Sequence, residues 1–110
     1  MANSKSNGPR KRYATVDTAP GADGYGTDAI SPNTESLDKL FFSFRGTGSI
    51  TVTLQFKCDG DTSWQDYADY SDFTDEPRKL IEGGAGKVKW RLIVKSGAYS
   101  SGSLTFGFDW

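Results

Sequence analysis

Ser49-Ile50-Thr51-Val52-Thr53-Leu54-Gln55-Phe56-Lys57 alternates polar and apolar side chains without a break. Successive side chains of a β-strand point to opposite faces. Ile50, Val52, Leu54 and Phe56 therefore share one greasy face, and Ser49, Thr51, Thr53, Gln55 and Lys57 share a wet one. The same period of two recurs in Val88-Trp90-Leu92-Val94 and Leu104-Phe106-Phe108-Trp110, and more briefly in Leu40-Phe42-Phe44. No stretch carries a 3.6-residue apolar period, so no helix is expected.

Working outward, the pattern predicts strands over Lys39–Arg45, Ser49–Lys57, Thr62–Tyr70, Arg78–Glu82, Lys87–Lys95 and Ser103–Trp110. Gly46-Thr47-Gly48 reads as a turn. Cys58-Asp59-Gly60-Asp61 carries the Asp-Gly hairpin signal. Ser71–Pro77 reads as an acidic loop, Gly83–Gly86 as a tight connection and Ser96–Gly102 as a small-residue turn. Trp64, Tyr67 and Tyr70 recur at spacing three inside the third strand, which a β-bulge would explain. Short strands with a turn signal about every ten residues predict an all-β fold, a small antiparallel β-sandwich or jelly-roll-like barrel.

Residues 1–36 read differently. They are rich in Gly, Pro, Ser, Asn, Thr and Asp, and only Val16 and Ile30, with Tyr13 and Tyr25, offer apolar anchors. Such a composition buries little apolar surface against the entropy of ordering. The expectation is a flexible or extended N-terminal arm over 1–36, followed by a sandwich domain over 37–110. An arm of this kind would order against a neighbouring subunit, with Arg10, Lys11, Arg12, Tyr13, Val16, Tyr25 and Ile30 as its contacts. A loose tail without a role is the plainer alternative.

The chain of 110 residues has room for one domain. Its 13 basic and 14 acidic side chains nearly cancel, which argues against a globally charged nucleic-acid binder. The cluster Arg10-Lys11-Arg12 is a weak nucleic-acid signal and suits an acidic protein surface equally well. Lys87, Lys89, Arg91 and Lys95 line the wet face of one strand, where lysine also discourages edge-to-edge aggregation. Histidine is absent, which removes the commonest general base and metal ligand. Cys58 is the sole cysteine, so no intrachain disulfide can form. No apolar run of about 18 residues offers a membrane span, and the basic N-terminus lacks the apolar segment of a secretory signal.

Four local features divide between structural and chemical readings. Asp59, Gly60, Asp61, Thr62, Ser63 and Trp64 resemble the Asp-box turn of sialidase hairpins, with Lys57 in place of its first serine and Asp61 in place of a glycine. In families that carry it, this box is a turn and not a catalytic site. The acidic stretch Asp59 to Glu76 fails the EF-hand pattern, because Trp64 and Tyr70 stand where glycine and glutamate are needed. That leaves a solvated acidic loop or a non-EF-hand calcium site from Asp59, Asp61 and Asp66. No carboxylate pair stands out for glycoside hydrolysis. Trp64, Tyr67, Tyr70, Trp90 and Tyr99 could stack on sugars. Trp90 lies in phase with its strand's core face, which leaves Tyr67, Tyr70 and Tyr99 as the candidate glycan face.

The segments Ser49–Phe56, the hairpin of Asp59-Gly60 with Ser63-Trp64-Gln65-Asp66-Tyr67, Gly86–Lys95 and Tyr99–Trp110 together resemble small β-sandwich structural proteins of tailed-bacteriophage virions. The resemblance covers about two-thirds of the chain, a sharing of strand and turn patterns and not of chemistry. It implies a non-enzymatic decoration (cement) protein without cofactors, bound to the major capsid protein on the outer head. Such a protein would be a homo-oligomer, a trimer among the forms it would take, located in the virion and assembled in the host cytoplasm. A tail or neck accessory protein and a host-surface glycan-binding module are the alternatives.

Overall fold

The computed structural model describes residues 3–30, 39–58, 60–71, 78–82 and 88–109, with backbone alone at 39–40, 78–82 and 88. Nine strands lie among them: β1 (Ser4–Gly8), β2 (Lys11–Val16), β3 (Tyr25–Gly26), β4 (Lys39–Ile50), β5 (Val52–Cys58), β6 (Gln65–Tyr70), β7 (Arg78–Glu82), β8 (Val88–Val94) and β9 (Tyr99–Asp109). One sheet has the order β1-β2-β9-β4-β7 and the other β3-β8-β5-β6. Every pairing is antiparallel. The sheets pack face to face, so the chain is an all-β antiparallel sandwich, as the alternation predicted.

The inward positions of the period-two segments fill the space between the sheets. Phe42, Phe44, Leu104, Phe106 and Phe108 enter from the five-stranded sheet. Val52, Leu54, Trp90, Leu92 and Val94 face them from the other, and all are buried. Removing these side chains from water is the main force holding the layers together, about 1.5–3 kcal/mol for each large one. Trp110, expected to continue this face, lies outside the described residues.

The expected arm is corrected over residues 4–30. β1 and β2 form a hairpin, and β2 pairs with β9 from Lys11↔Asp109 to Val16↔Leu104. β3 pairs with β8, and Ile30 makes an isolated bridge to Trp90. Val16 and Ile30, expected as contacts for a partner, are both 0% exposed in this chain's own core. A domain boundary after residue 36 therefore does not separate the first thirty residues from the sandwich. Few large aliphatics suffice here because Arg12, Ala14 and Val16 alternate with Lys11, Tyr13 and Thr15. The ladder to β9 also satisfies the backbone that composition alone would leave solvated. Residues 31–36 of the expected arm lie outside the described residues.

The turn expected at Gly46–Gly48 is also absent: β4 runs through it to Ile50. β4 pairs with β9, and β5 pairs with β8, so one two-stranded ribbon bends from one sheet into the other. Gly46, Gly48 and Gly102 have φ of 129°, 145° and 97° at this corner. Gly48 and Gly102 are cross-strand partners, and a Cβ on Gly102 would lie 2.4 Å from the Gly48 Cα. Bare backbones can approach and bend where substituted ones would collide. A register shift at Ser49/Ile50 completes the bend, and the Thr51 N–H donates to the Ala98 carbonyl at 2.9 Å.

The bulge expected in the third strand is present. Leu54 pairs with Ala68 but Gln55 pairs with Asp66, which leaves Tyr67 as the extra residue. Its ring meets Trp90 edge-on at 5.3 Å and Phe56 at 6.2 Å.

Candidate functional site

The register of the five-stranded sheet sets out its outer face. Lys11 on β2 lies opposite Asp109 on β9, and Asp109 lies opposite Phe41 on β4. The next outward row is Ser6, Tyr13, Gly107 and Ser43, and the next is Ser4, Thr15, Thr105 and Arg45. Ser6, Lys11, Tyr13, Arg45, Thr105 and Asp109 line an open depression of about 310 Å³ on this face. That volume lies at the small end of ligand-sized sites.

Tyr13 crosses the centre of the face because Gly107 has no side chain. A Cβ on Gly107 would sit 2.7 Å from the Tyr13 ring carbon Cγ. The phenol donates to the Asp109 carboxylate and lies 3.3 Å from the Ser43 hydroxyl. Burial, followed by the bond to Asp109, pushes the Tyr13 hydroxyl above its ordinary pKa. It therefore stays a neutral donor at physiological pH, and Asp109 has one lone pair already engaged. Thr15 and Thr105 join their hydroxyls at 2.9 Å on the same face. Neither Lys11 nor Arg45 makes an ion pair or hydrogen bond from its side chain among the described residues.

The other sequence candidates are spread over the fold. Arg10 sits at the tip of the β1–β2 hairpin with φ of 60°. The Arg12 guanidinium turns back to donate to the Lys11 and Gly8 carbonyls, at 2.8 and 3.3 Å. Tyr25 packs against the core with the Lys5 ammonium 5.6 Å from its ring centre. Lys5 and Asn7 both donate to Asp28, at 2.8 and 2.7 Å, and these bonds hold its carboxyl below the usual range.

The three glycan tyrosines do not form one face. Tyr70 packs its ring on Phe42 and Phe44, at 5.3 and 5.4 Å, and belongs to the core edge. The Tyr99 hydroxyl shares its proton between the Asp17 and Gly102 carbonyls, each at 2.8 Å, and closes the ribbon corner. Tyr67 alone is strongly exposed, at 58%.

The outer face of the four-stranded sheet carries a self-satisfied polar ladder. Arg91 stacks 4.4 Å from the Trp64 ring centre and donates to Gln55 at 2.8 Å. Gln55 donates to Asp66 at 2.9 Å, and Lys95 pairs with the same carboxylate. The bond from Lys95, then that from Gln55, holds the Asp66 carboxyl low, while burial lowers the Arg91 pKa. Thr53 donates to Asp69 at 2.7 Å. Of the suggested calcium ligands, Asp59 lies outside the described residues, Asp61 accepts the Cys58 N–H at 3.1 Å, and Asp66 is occupied as above. Among the described residues no group of three or more His, Cys, Asp or Glu is placed to hold a metal.

Sequence reasoning pointed at Lys11 and Tyr13 but missed Arg45, Thr105, Asp109 and Ser6. Each of those four is an ordinary wet-face residue of its strand, and only the register joins them. No family model matches the chain, and no curated protein or solved structure matches it.

Proposed function

We propose that the chain is a non-enzymatic structural protein of a tailed-bacteriophage virion, a decoration protein that binds the major capsid protein on the outer head and reinforces it. The observation that carries this reading is the division of labour in the sandwich. Among the described residues most large apolar side chains are used in packing, while the outer face of the five-stranded sheet offers two cations, Lys11 and Arg45, that make no hydrogen bond or ion pair from their side chains with other described residues. A rigid, polar, preorganised sheet face suits attachment to a large fixed surface, because little ordering entropy is lost on docking. Attachment is assigned to this face and not to a free arm. Many copies on a symmetric shell, as a trimer or another homo-oligomer, would add weak contacts into firm decoration.

Heads lacking the protein, mixed with the purified chain and sedimented, test the reading. Saturable co-sedimentation is expected. A folded chain that neither binds heads nor occurs in virions would overturn it, and recovery with tails alone would move it to a tail or neck address.

A host-surface glycan module is the second reading, favoured by the exposure of Tyr67 beside the Trp90 and Phe56 rings. A glycan array with wild type and Tyr67→Ala separates it: a specific sugar signal lost in the variant would favour this reading.

A further inference from the structure

Two cations that make no hydrogen bond or ion pair from their side chains among the described residues share the depression on the five-stranded sheet with one engaged carboxylate. Lys11 and Arg45 supply two positive charges, and Asp109 supplies one negative charge that accepts the Tyr13 hydroxyl. Among the described lining residues the balance is one positive charge. Lys11 and Arg45 stand diagonally apart. Arg45 pairs with Thr105 and Lys11 with Asp109, four residues along β9. Strand geometry puts that at about 13 Å along the strand and about 10 Å across two strand spacings, so the two anchors are roughly 16 Å apart. Both side chains line the same depression, and Thr105 lies on β9 between their two strands.

We infer that this depression is a docking site for an extended acidic segment of a partner protein, with one carboxylate paired to Arg45 and another to Lys11. The inference deepens the attachment reading and rests on it for the partner's identity, though not for the chemistry. Arg45 can take a carboxylate through two parallel N–H···O bonds, and Lys11 provides a point charge for a second. Carboxylates about 13 Å apart lie four residues apart in an extended strand, a span the two reaching cations can bridge. The bond from the Tyr13 phenol to Asp109 ties that side chain to the sheet within the lining of the depression. A nucleic-acid backbone is the poorer fit, because it needs a stripe of cations and the lining of this depression has two.

The test uses the full chain and a fluorescent peptide of alternating glutamate and serine, read by anisotropy. Controls are the same peptide with glutamine for glutamate, and a labelled DNA duplex. The glutamate peptide is expected to bind, to weaken as salt rises, and to lose roughly tenfold in affinity in Arg45→Glu and in Lys11→Glu. Lys89→Glu, on the opposite sheet, should bind as wild type does. Thermal melts check that all three variants fold. Equal binding of the glutamate and glutamine peptides, wild-type affinity in both groove variants, or tighter binding of the duplex would each overturn the inference. Head co-sedimentation run in parallel separates the two readings. Groove-dependent peptide binding without head binding upholds the site and removes the virion reading. Head binding that both variants retain, without peptide binding, does the reverse.

Discussion

Ile30 belongs to a stretch whose composition reads as an unpacked arm, and replacing it with alanine asks whether that stretch is structural. Its side chain is 0% exposed, and its backbone exchanges hydrogen bonds with Trp90, 2.9 Å in each direction. Alanine keeps those bonds and removes three carbons from the core beside Trp90. Buried isoleucine-to-alanine changes cost about 2–5 kcal/mol, the transfer of the lost methyl groups plus the cavity they leave. A domain of this size has an unfolding entropy of about 0.23 kcal/mol/K, from ~2.1 cal/mol/K per residue. A loss near 3 kcal/mol therefore lowers Tm by about 13 °C. Thermal unfolding followed by circular dichroism, with Ser4→Ala as an exposed control in the same stretch, reads it directly. An Ile30→Ala melt within about 2 °C of wild type, inside the surface-mutation range, would refute the packing of residues 4–30 into the sandwich.

Other expected outcomes follow from single positions. Arg10 holds φ of 60°, where a Cβ is strained, so Arg10→Gly should raise stability by about 0.5–1 kcal/mol in urea unfolding despite the flexibility glycine adds to the unfolded chain. Gly102 has φ of 97° and faces the Gly48 Cα across the ladder, so Gly102→Ala should cost more than about 2 kcal/mol in the same assay and loosen the ribbon corner. The folded pKa of Asp28 lies below its unfolded value, chiefly through Lys5 and then Asn7. Its contribution is therefore complete above the ordinary carboxylate range and disappears as pH falls through the lowered folded value. The pair is solvent-exposed, so the effect is below about 1 kcal/mol: Asp28→Asn should be slightly less stable than wild type near neutrality and equal to it in strong acid, by urea unfolding at both pH values.

The strands that build the core were legible because their burial is one-sided. Ile50–Phe56, Val88–Val94 and Leu104–Phe108 each declare a period of two that only a half-buried strand satisfies. Even the bulge at Tyr67 left a trace, in aromatics spaced by three. β2 was not legible. Its inward residues are Arg12, Ala14 and Val16, and a small residue between a cation and a valine reads as polar chain until β9 is placed beside it. β3 is two residues long. A Cβ on Gly26 would meet the Leu92 carbonyl oxygen at 2.1 Å, so the pairing depends on a missing side chain and not on a pattern. Gly46, Gly48 and Gly102 look like turn signals in one dimension. Their meaning as a ribbon corner comes from facing one another across fifty-odd residues of chain, as the Gly48↔Gly102 pairing shows. The candidate site is hidden for the same reason. Lys11 and Tyr13 stand out in a basic cluster, but Arg45, Thr105 and Asp109 join them only through strand register.

A reconstruction of phage heads decorated with the purified chain tests the central claim most directly. The outer face of the five-stranded sheet, with Lys11 and Arg45, should lie against the capsid surface, with residues 4–16 held in the sandwich as β1 and β2. Density with that face turned to solvent, or with residues 4–16 stripped from the sheet and laid along the shell as a free arm, would contradict the account.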